Sequence, residues 1–326
     1  MVVETFHPAV WARSPHMQTI FGSLGFRTMG ANEMIDAARE IITDAGNGSR
    51  LLGYYSHQPM RSPRGLIILI HGWEGSSDSS YVLSTGRYFF RRGYDVFRLN
   101  LRDHGKSHHL NRGLFHGALT DETANAVASI ARLLPDHRCY LIGFSLGGNF
   151  ALRIALRQSI DPIPNLKRIF SISPALDPYQ ATLAIDKSLS IYRTYFLSKW
   201  KRSLRRKQSC FPDFYRFDEI LHQKTCMALT EAIMSWYPEF GNYHEYFSHY
   251  TLTGSALASL AVPVTIITAE DDPFIAADDF RHLPRNRYLD VSILRYGGHC
   301  GFLDPFPSGC WYERHIGDIL EREEEG

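Results

Sequence analysis

Leu141-Ile-Gly-Phe-Ser145-Leu-Gly-Gly-Asn149 is the stretch on which the fold turns. An apolar, β-prone run at 138–144 enters it and a helical pattern at 146–158 leaves it, so Ser145 sits on a strand-to-helix turn. Gly143 and Gly147 flank the serine at the Gly-x-Ser-x-Gly spacing, because so sharp a turn brings neighbouring backbone too close for a side chain at either place. Such a turn pushes the hydroxyl out over the edge of a sheet. It also aims the following N–H groups, Leu146 first, at developing negative charge. The five-residue pattern alone arises by chance in roughly one chain of this length in seven. Its weight comes from the strand before it, the helix after it and partners further along.

Outward from this turn, strands and helices alternate. The run at 65–71 is almost wholly aliphatic, as expected of a strand buried on both faces, and a Gly/Ser loop and a helix at 80–92 follow it. A strand at 95–101 and a helix at 121–134, with Thr120 as N-cap and Pro135 past its end, lead to the elbow strand. Further strands are predicted at 168–173, 264–269 and 291–296, and a closing helix at 309–322. Ahead of them, β-prone segments at 37–43 and 50–57 enclose Asp44-Ala-Gly-Asn-Gly48, which predicts an antiparallel hairpin. Residues 1–36 show no sustained period and are expected to wrap the surface. The class is therefore α/β, with a mostly parallel, doubly wound sheet.

The alternation breaks once, at 177–262, a stretch too long for a plain loop. It reads as an inserted helical cap dividing the core into 1–176 and 263–326. Ile185, Leu189, Tyr192, Phe196 and Trp200 form the apolar stripe expected of its first helix. Lys199, Lys201, Arg202, Arg205, Arg206 and Lys207 crowd that helix's far end, near Phe211 and Phe214. This run reads either as a solvated face or as a basic rim suited to an anionic substrate end or to peripheral contact with anionic lipid. The acidic tail at 321–325 is expected to fray.

Composition narrows the function classes. The 326 residues, 44% of them hydrophobic, suffice for one large core, and a formal net charge of +1 supplies no overall field to gather nucleic acid. Five cysteines without a Cys-x-x-Cys pair read as reduced thiols of a cytosolic protein. No basic stretch followed by an apolar one opens the chain, and its longest aliphatic run is far too short to span a bilayer. The expectation is a cytoplasmic protein.

A nucleophilic serine needs a base, and the base needs an orienting acid. Glu270-Asp-Asp-Pro-Phe274 follows the strand at 264–269, at the sheet edge where ligand groups gather. Asp272 is the candidate acid, and Asp271 stays open as the alternative. Gly297-Gly-His-Cys-Gly301 follows the next strand, and His299 has the best context among 15 histidines. His71-Gly-Trp-Glu-Gly-Ser76 follows the early strand, and the Trp73 N–H joins that of Leu146 as a candidate oxyanion donor. His71, Asp103 and His104 read as loop-fixing residues. His108, His109 and His116 read as solvated loop histidines, because no metal-ligand spacing accompanies them.

These residues carry a resemblance. Phe6-His-Pro8 with Trp11 and Ser14-Pro-His-Met-Gln-Thr19, His71-Gly-Trp-Glu-Gly-Ser-Ser77, Arg102-Asp-His-Gly-Lys-Ser107 and Gly143-Phe-Ser-Leu-Gly-Gly-Asn149 match, together with Asp271-Asp-Pro-Phe274 and Gly297-Gly-His299. The chain resembles the α/β-hydrolase superfamily, and within it the YheT-like esterase group, which includes yeast ethyl-ester synthases and eukaryotic lipid hydrolases. Trp73 departs from the Leu-like residue expected there, but only its backbone N–H is used. The resemblance implies a Ser145, Asp272, His299 triad that cleaves carboxylic esters; separately, the apolar stripe and basic rim of the cap predict a preference for medium or longer acyl chains. That chemistry needs no cofactor and no metal. Two other readings stand beside it: an acyltransferase that hands the acyl group to an alcohol, and a non-catalytic binding protein on the same fold.

Overall fold

The computed structural model describes residues 6–59, 62–303 and 309–325. One eight-stranded sheet organises it: β1 (Ala38–Asp44), β2 (Arg50–Ser56), β3 (Leu66–Ile70), β4 (Asp95–Leu99), β5 (Cys139–Phe144), β6 (Leu166–Ile172), β7 (Val264–Ala269) and β8 (Leu289–Leu294). Their spatial order is β1-β2-β4-β3-β5-β6-β7-β8. The β1–β2 hairpin and the β2–β4 pair are antiparallel, and every later pair is parallel. The aliphatic runs take the centre because both faces are covered. Leu66, Ile68 and Ile70 of β3 enter one apolar layer, whereas Ile67 and Leu69 enter the other. Each fully buried aliphatic side chain contributes about 1.5–3 kcal/mol relative to exposure. Strand order reverses around β3, so the carboxyl ends of β3, β5, β7 and β8 share one edge, where such sheets bind ligands.

Helices α1 (Pro15–Ser23) and α2 (Glu33–Asp36) precede the sheet; α3 (Ser80–Phe90), α4 (Thr120–Ala131) and α5 (Leu146–Arg157) follow β3, β4 and β5. Between β6 and β7 lie α6 (Pro178–Lys187), α7 (Ser190–Cys210), α8 (Cys226–Ile233) and α9 (Tyr243–Ser248); α10 (Ala277–Arg281) and α11 (Trp311–Glu325) follow β7 and β8. Among the described residues no helix is long and apolar enough to cross a membrane.

Several local expectations are corrected. The N-terminal stretch does more than wrap the surface: Gln18 and Arg27 are fully buried. Arg27 Nη2 lies 3.2 Å from Glu313 Oε1 and 3.0 Å from the Tyr312 hydroxyl. Thr120 is the first helical residue of α4 rather than its cap, and its hydroxyl accepts from Arg153. The acidic tail stays helical to Glu325, with Glu323 paired to Arg168 and Glu324 to Arg64. The apolar stripe is split between two helices, because Ser188 and Leu189 are extended. Ile185 therefore ends on α6, Leu189 is exposed in the break, and Tyr192, Phe196 and Trp200 continue on α7. His108 is buried, with Nε2 2.8 Å from Ser203 Oγ, and His116 packs edge-on to Tyr237 and Phe240. Of the three histidines only His109 is exposed.

Part of the basic run turns inward. Lys207 Nζ is fully buried and donates to Asp103 Oδ1 at 2.7 Å, Asn111 O at 2.6 Å and Gly113 O at 2.9 Å. Asp103 also accepts from the Phe115 N–H, yet burial still pushes its carboxyl up to about 6. Removing one member of such a pair strands the other in a medium that disfavours charge. Lys207→Met is expected to lower stability by about 3–5 kcal/mol in denaturant unfolding. A cost below about 1 kcal/mol would show that water enters and solvates Asp103.

Candidate active site

The elbow is built by close backbone contact. A Cβ on Gly143 would lie 2.2 Å from Gly147 O, and one on Gly147 would lie 2.4 Å from both Ile70 O and His71 O. Ser145 takes φ +53°, ψ −117° between them, a strained conformation held by its N–H bond to Ile172 O at 2.8 Å. Its side chain therefore stands clear of the sheet edge at the start of α5.

Two loops from distant sequence meet it there. Ser145 Oγ is 2.9 Å from His299 Nε2, and His299 Nδ1 is 2.8 Å from Asp272 Oδ2. The Asp272 side chain is fully buried, and its Oδ1 accepts from the Phe274 and Ile275 N–H groups at 2.9 and 3.1 Å. Its plane is thus fixed from both sides. Asp271 faces elsewhere. Its Oδ1 accepts from the Gly298 N–H at 2.8 Å, its Oδ2 is buried with no partner among the described residues, and burial, with Asp272 beside it, raises its carboxyl to about 6.

In the loop after β3, neighbouring groups lock the amides on either side of Trp73. The Gly72 N–H donates to the Tyr81 hydroxyl at 3.0 Å, and the Glu74 N–H to His104 Nε2 at 3.2 Å. Beyond them, Gly75 donates to Gly72 O, Ser76 to Ser79 Oγ and Ser77 to Asn100 Oδ1. Among the described residues the Trp73 and Leu146 N–H groups donate to nothing. His71 has Nδ1 2.7 Å from Gly72 O and accepts from the Leu101 N–H at 3.1 Å; burial holds it well below its ordinary pKa. His104 is likewise pulled by burial to about 4. Both are neutral loop ties.

Sequence reasoning missed the bracing from α1. Thr19 Oγ1 accepts from the His299 N–H at 2.9 Å and donates to Pro15 O, while Gln18 Oε1 accepts from the Leu303 N–H at 2.7 Å. A Cβ on Gly298, which sits at φ +51°, would meet Pro15 O at 2.4 Å, so the helix seats directly on the histidine loop. The Ser14-Pro-His-Met-Gln-Thr19 motif was a signal for this contact, without indicating what it touched.

Helix α7 covers the edge. Phe196 stacks on Trp73 at 5.5 Å and meets Phe274 edge-on, while Phe274 packs edge-on to His299 at 5.2 Å. Tyr192 joins the same group through Phe274 and bonds His16 at 3.0 Å. Ser145 and His299 line two cavities beneath. One, of about 90 Å³, is lined further in by Phe115, Ala181, Ile185, Tyr246 and Tyr250. The other, of about 510 Å³, runs between α1, the Trp73 loop and α7.

Comparison with known proteins places this arrangement. A family profile described as alpha/beta hydrolase fold matches residues 65–210. A Saccharomyces cerevisiae protein named monoacylglycerol lipase is 23% identical over 296 residues, covering 85% of this chain and 64% of its own length. The Danio rerio monoacylglycerol lipase ABHD2 is 21% identical, covering 92% of this chain and 74% of its own. The chain thus spans about two thirds of the yeast relative's length. The solved structure of Pyrococcus furiosus esterase Pf2001 superimposes with a TM-score of 0.55 at 16% identity, covering 87% of this chain and 90% of its own. In sheet order, elbow and matched profile, the chain has the alpha/beta hydrolase fold.

Proposed function

We propose that this protein is a serine hydrolase that cleaves carboxylic esters through an acyl-enzyme. The observation that carries the reading is the continuous hydrogen-bond chain from Ser145 through His299 to Asp272 on a strained elbow. Asp272 holds the imidazole proton on Nδ1, which leaves Nε2 free to accept from the serine. As Ser145 Oγ attacks the carbonyl carbon, its proton passes to Nε2, and the oxyanion meets the Leu146 and Trp73 N–H groups. Each such donor is worth about 3–4 kcal/mol when the charge exists only in the transition state. His299 then returns the proton to the leaving alcohol. Water, deprotonated by His299, releases the acid.

The two cavities give the ester two unequal arms. An engineered cavity of about 150 Å³ admits benzene, so the one of about 90 Å³ admits roughly two to four carbons. The one of about 510 Å³ admits a far longer group, and we assign the acyl chain to it. Each methylene buried there adds about 0.8 kcal/mol, or about fourfold in kcat/KM. A series of p-nitrophenyl esters from acetate to dodecanoate, run with and without added alcohol, is expected to show kcat/KM rising by tenfold or more before it levels. A preference for acetate would reverse the assignment of the arms. Failure of the folded protein to react with a fluorophosphonate probe would remove the hydrolase reading itself.

A further inference from the structure

Helix α7 carries seven cations and no carboxylate in its 21 residues. Four are engaged by the protein: Arg193 with Asp186 O, Lys199 with Glu74 O, Arg206 with Gly105 O, and Lys207 in the buried pair with Asp103. Among the described residues Lys201, Arg202 and Arg205 donate to nothing, and the two arginines are exposed. At 100° per residue, Ile191, Tyr195, Arg202 and Arg205 fall within an arc of about 80° on one face. Arg202 and Arg205 stand about 10 and 15 Å along the axis from Tyr195.

The apolar end of that face is the mouth of the larger cavity. Ile191 is 58% exposed and Tyr195 47%, and both line it; Leu24 of the N-terminal stretch, 43% exposed, lines the opposite rim. Leu189, 51% exposed, stands just before the helix begins. An open ring of large apolar side chains at a cavity that ends on a nucleophile is not explained by core packing. The carboxylates nearest the mouth do not cancel the cations. Asp78 is paired with Arg98 at 3.4 Å, and burial pushes Glu74 up to about 8, so at neutral pH it is mostly uncharged.

We propose that this face docks on an anionic lipid surface, with the cavity mouth against the acyl layer and Arg202 and Arg205 against the acidic headgroups. The ester then reaches Ser145 from the lipid without its chain crossing water. Apolar insertion and headgroup attraction are each marginal alone and act together. A second copy of the chain fits the face less well, since it would set arginine against arginine and cover only a few side chains, far short of the about 800 Å² per partner of a stable interface. The identity of the cargo rests on the esterase reading; the docking itself does not.

The test is co-sedimentation of Ser145→Ala protein, which consumes nothing, with vesicles of phosphatidylcholine alone and of phosphatidylcholine with phosphatidylglycerol, at low and high salt. Binding is expected to the mixed vesicles only, weakening as salt screens the charges. Arg202→Glu/Arg205→Glu is expected to bind at least about tenfold more weakly. Leu189→Asp, at a helix-capping position where Asp is favoured, should also bind more weakly. Both changes, made in otherwise wild-type protein, should leave hydrolysis of a small soluble ester within about twofold. Absence of binding by the folded protein overturns the proposal, as does equal binding by the double variant or a concentration-dependent dimer that the variants abolish. Vesicle binding without ester hydrolysis by wild-type protein would instead overturn the esterase reading and leave the docking intact.

Discussion

Ser145→Ala is expected to lose ester hydrolysis by roughly 10⁴-fold or more and to lose fluorophosphonate labelling altogether. The loss is chemical rather than structural. Alanine keeps the Cβ that already sits at φ +53°, so the elbow gains no new strain, and the Ser145 N–H bond to Ile172 O is a backbone bond that the change leaves in place. Thermal unfolding should therefore stay close to wild type while turnover disappears. Turnover retained by pure variant protein would move the nucleophile elsewhere.

Asp272→Asn is expected to lower kcat by roughly 10³–10⁴-fold, a barrier increase of about 4–5.5 kcal/mol. The reason lies in how tightly the carboxylate is held. With Oδ1 fixed by the Phe274 and Ile275 N–H groups, an asparagine must turn its NH₂ toward His299 Nδ1. That forces the ring proton onto Nε2, where it faces Ser145 and blocks proton transfer. Asp271→Asn is the contrast. An asparagine there keeps an oxygen for the Gly298 N–H, so kcat should remain within about tenfold. The opposite pattern would transfer the orienting role to Asp271.

These two neighbours show where reading the chain ran out. Strand positions and the elbow were legible because they depend on local rules: aliphatic runs, turn glycines and alternating helix and strand. Asp271 and Asp272 share the same turn, and only the backbone path past β7 decides which one faces His299. The basic run was legible as charge but not as two populations, because Asp103, which takes Lys207 inside, lies 104 residues away. His108 and His116 looked solvated in a polar loop, yet α7 and the Tyr237–Phe240 turn cover them. The break between α6 and α7 was hidden because Leu189 continued the apolar spacing across it.

The contact between α1 and the histidine loop sets the order in which the protein becomes competent during synthesis. Thr19 and Gln18 leave the ribosome 280 and 285 residues before the groups they hold. At about 5–20 residues per second, roughly 15–60 s pass in which Thr19 and Gln18 lack the histidine loop they hold, although α1 can already pack on α3. The sheet up to β6 can assemble in that interval, but the imidazole cannot be positioned. Onset of turnover on a translating chain therefore marks the closing of a loop of 280 residues, and a nascent chain stalled after β7 would be largely folded and inert.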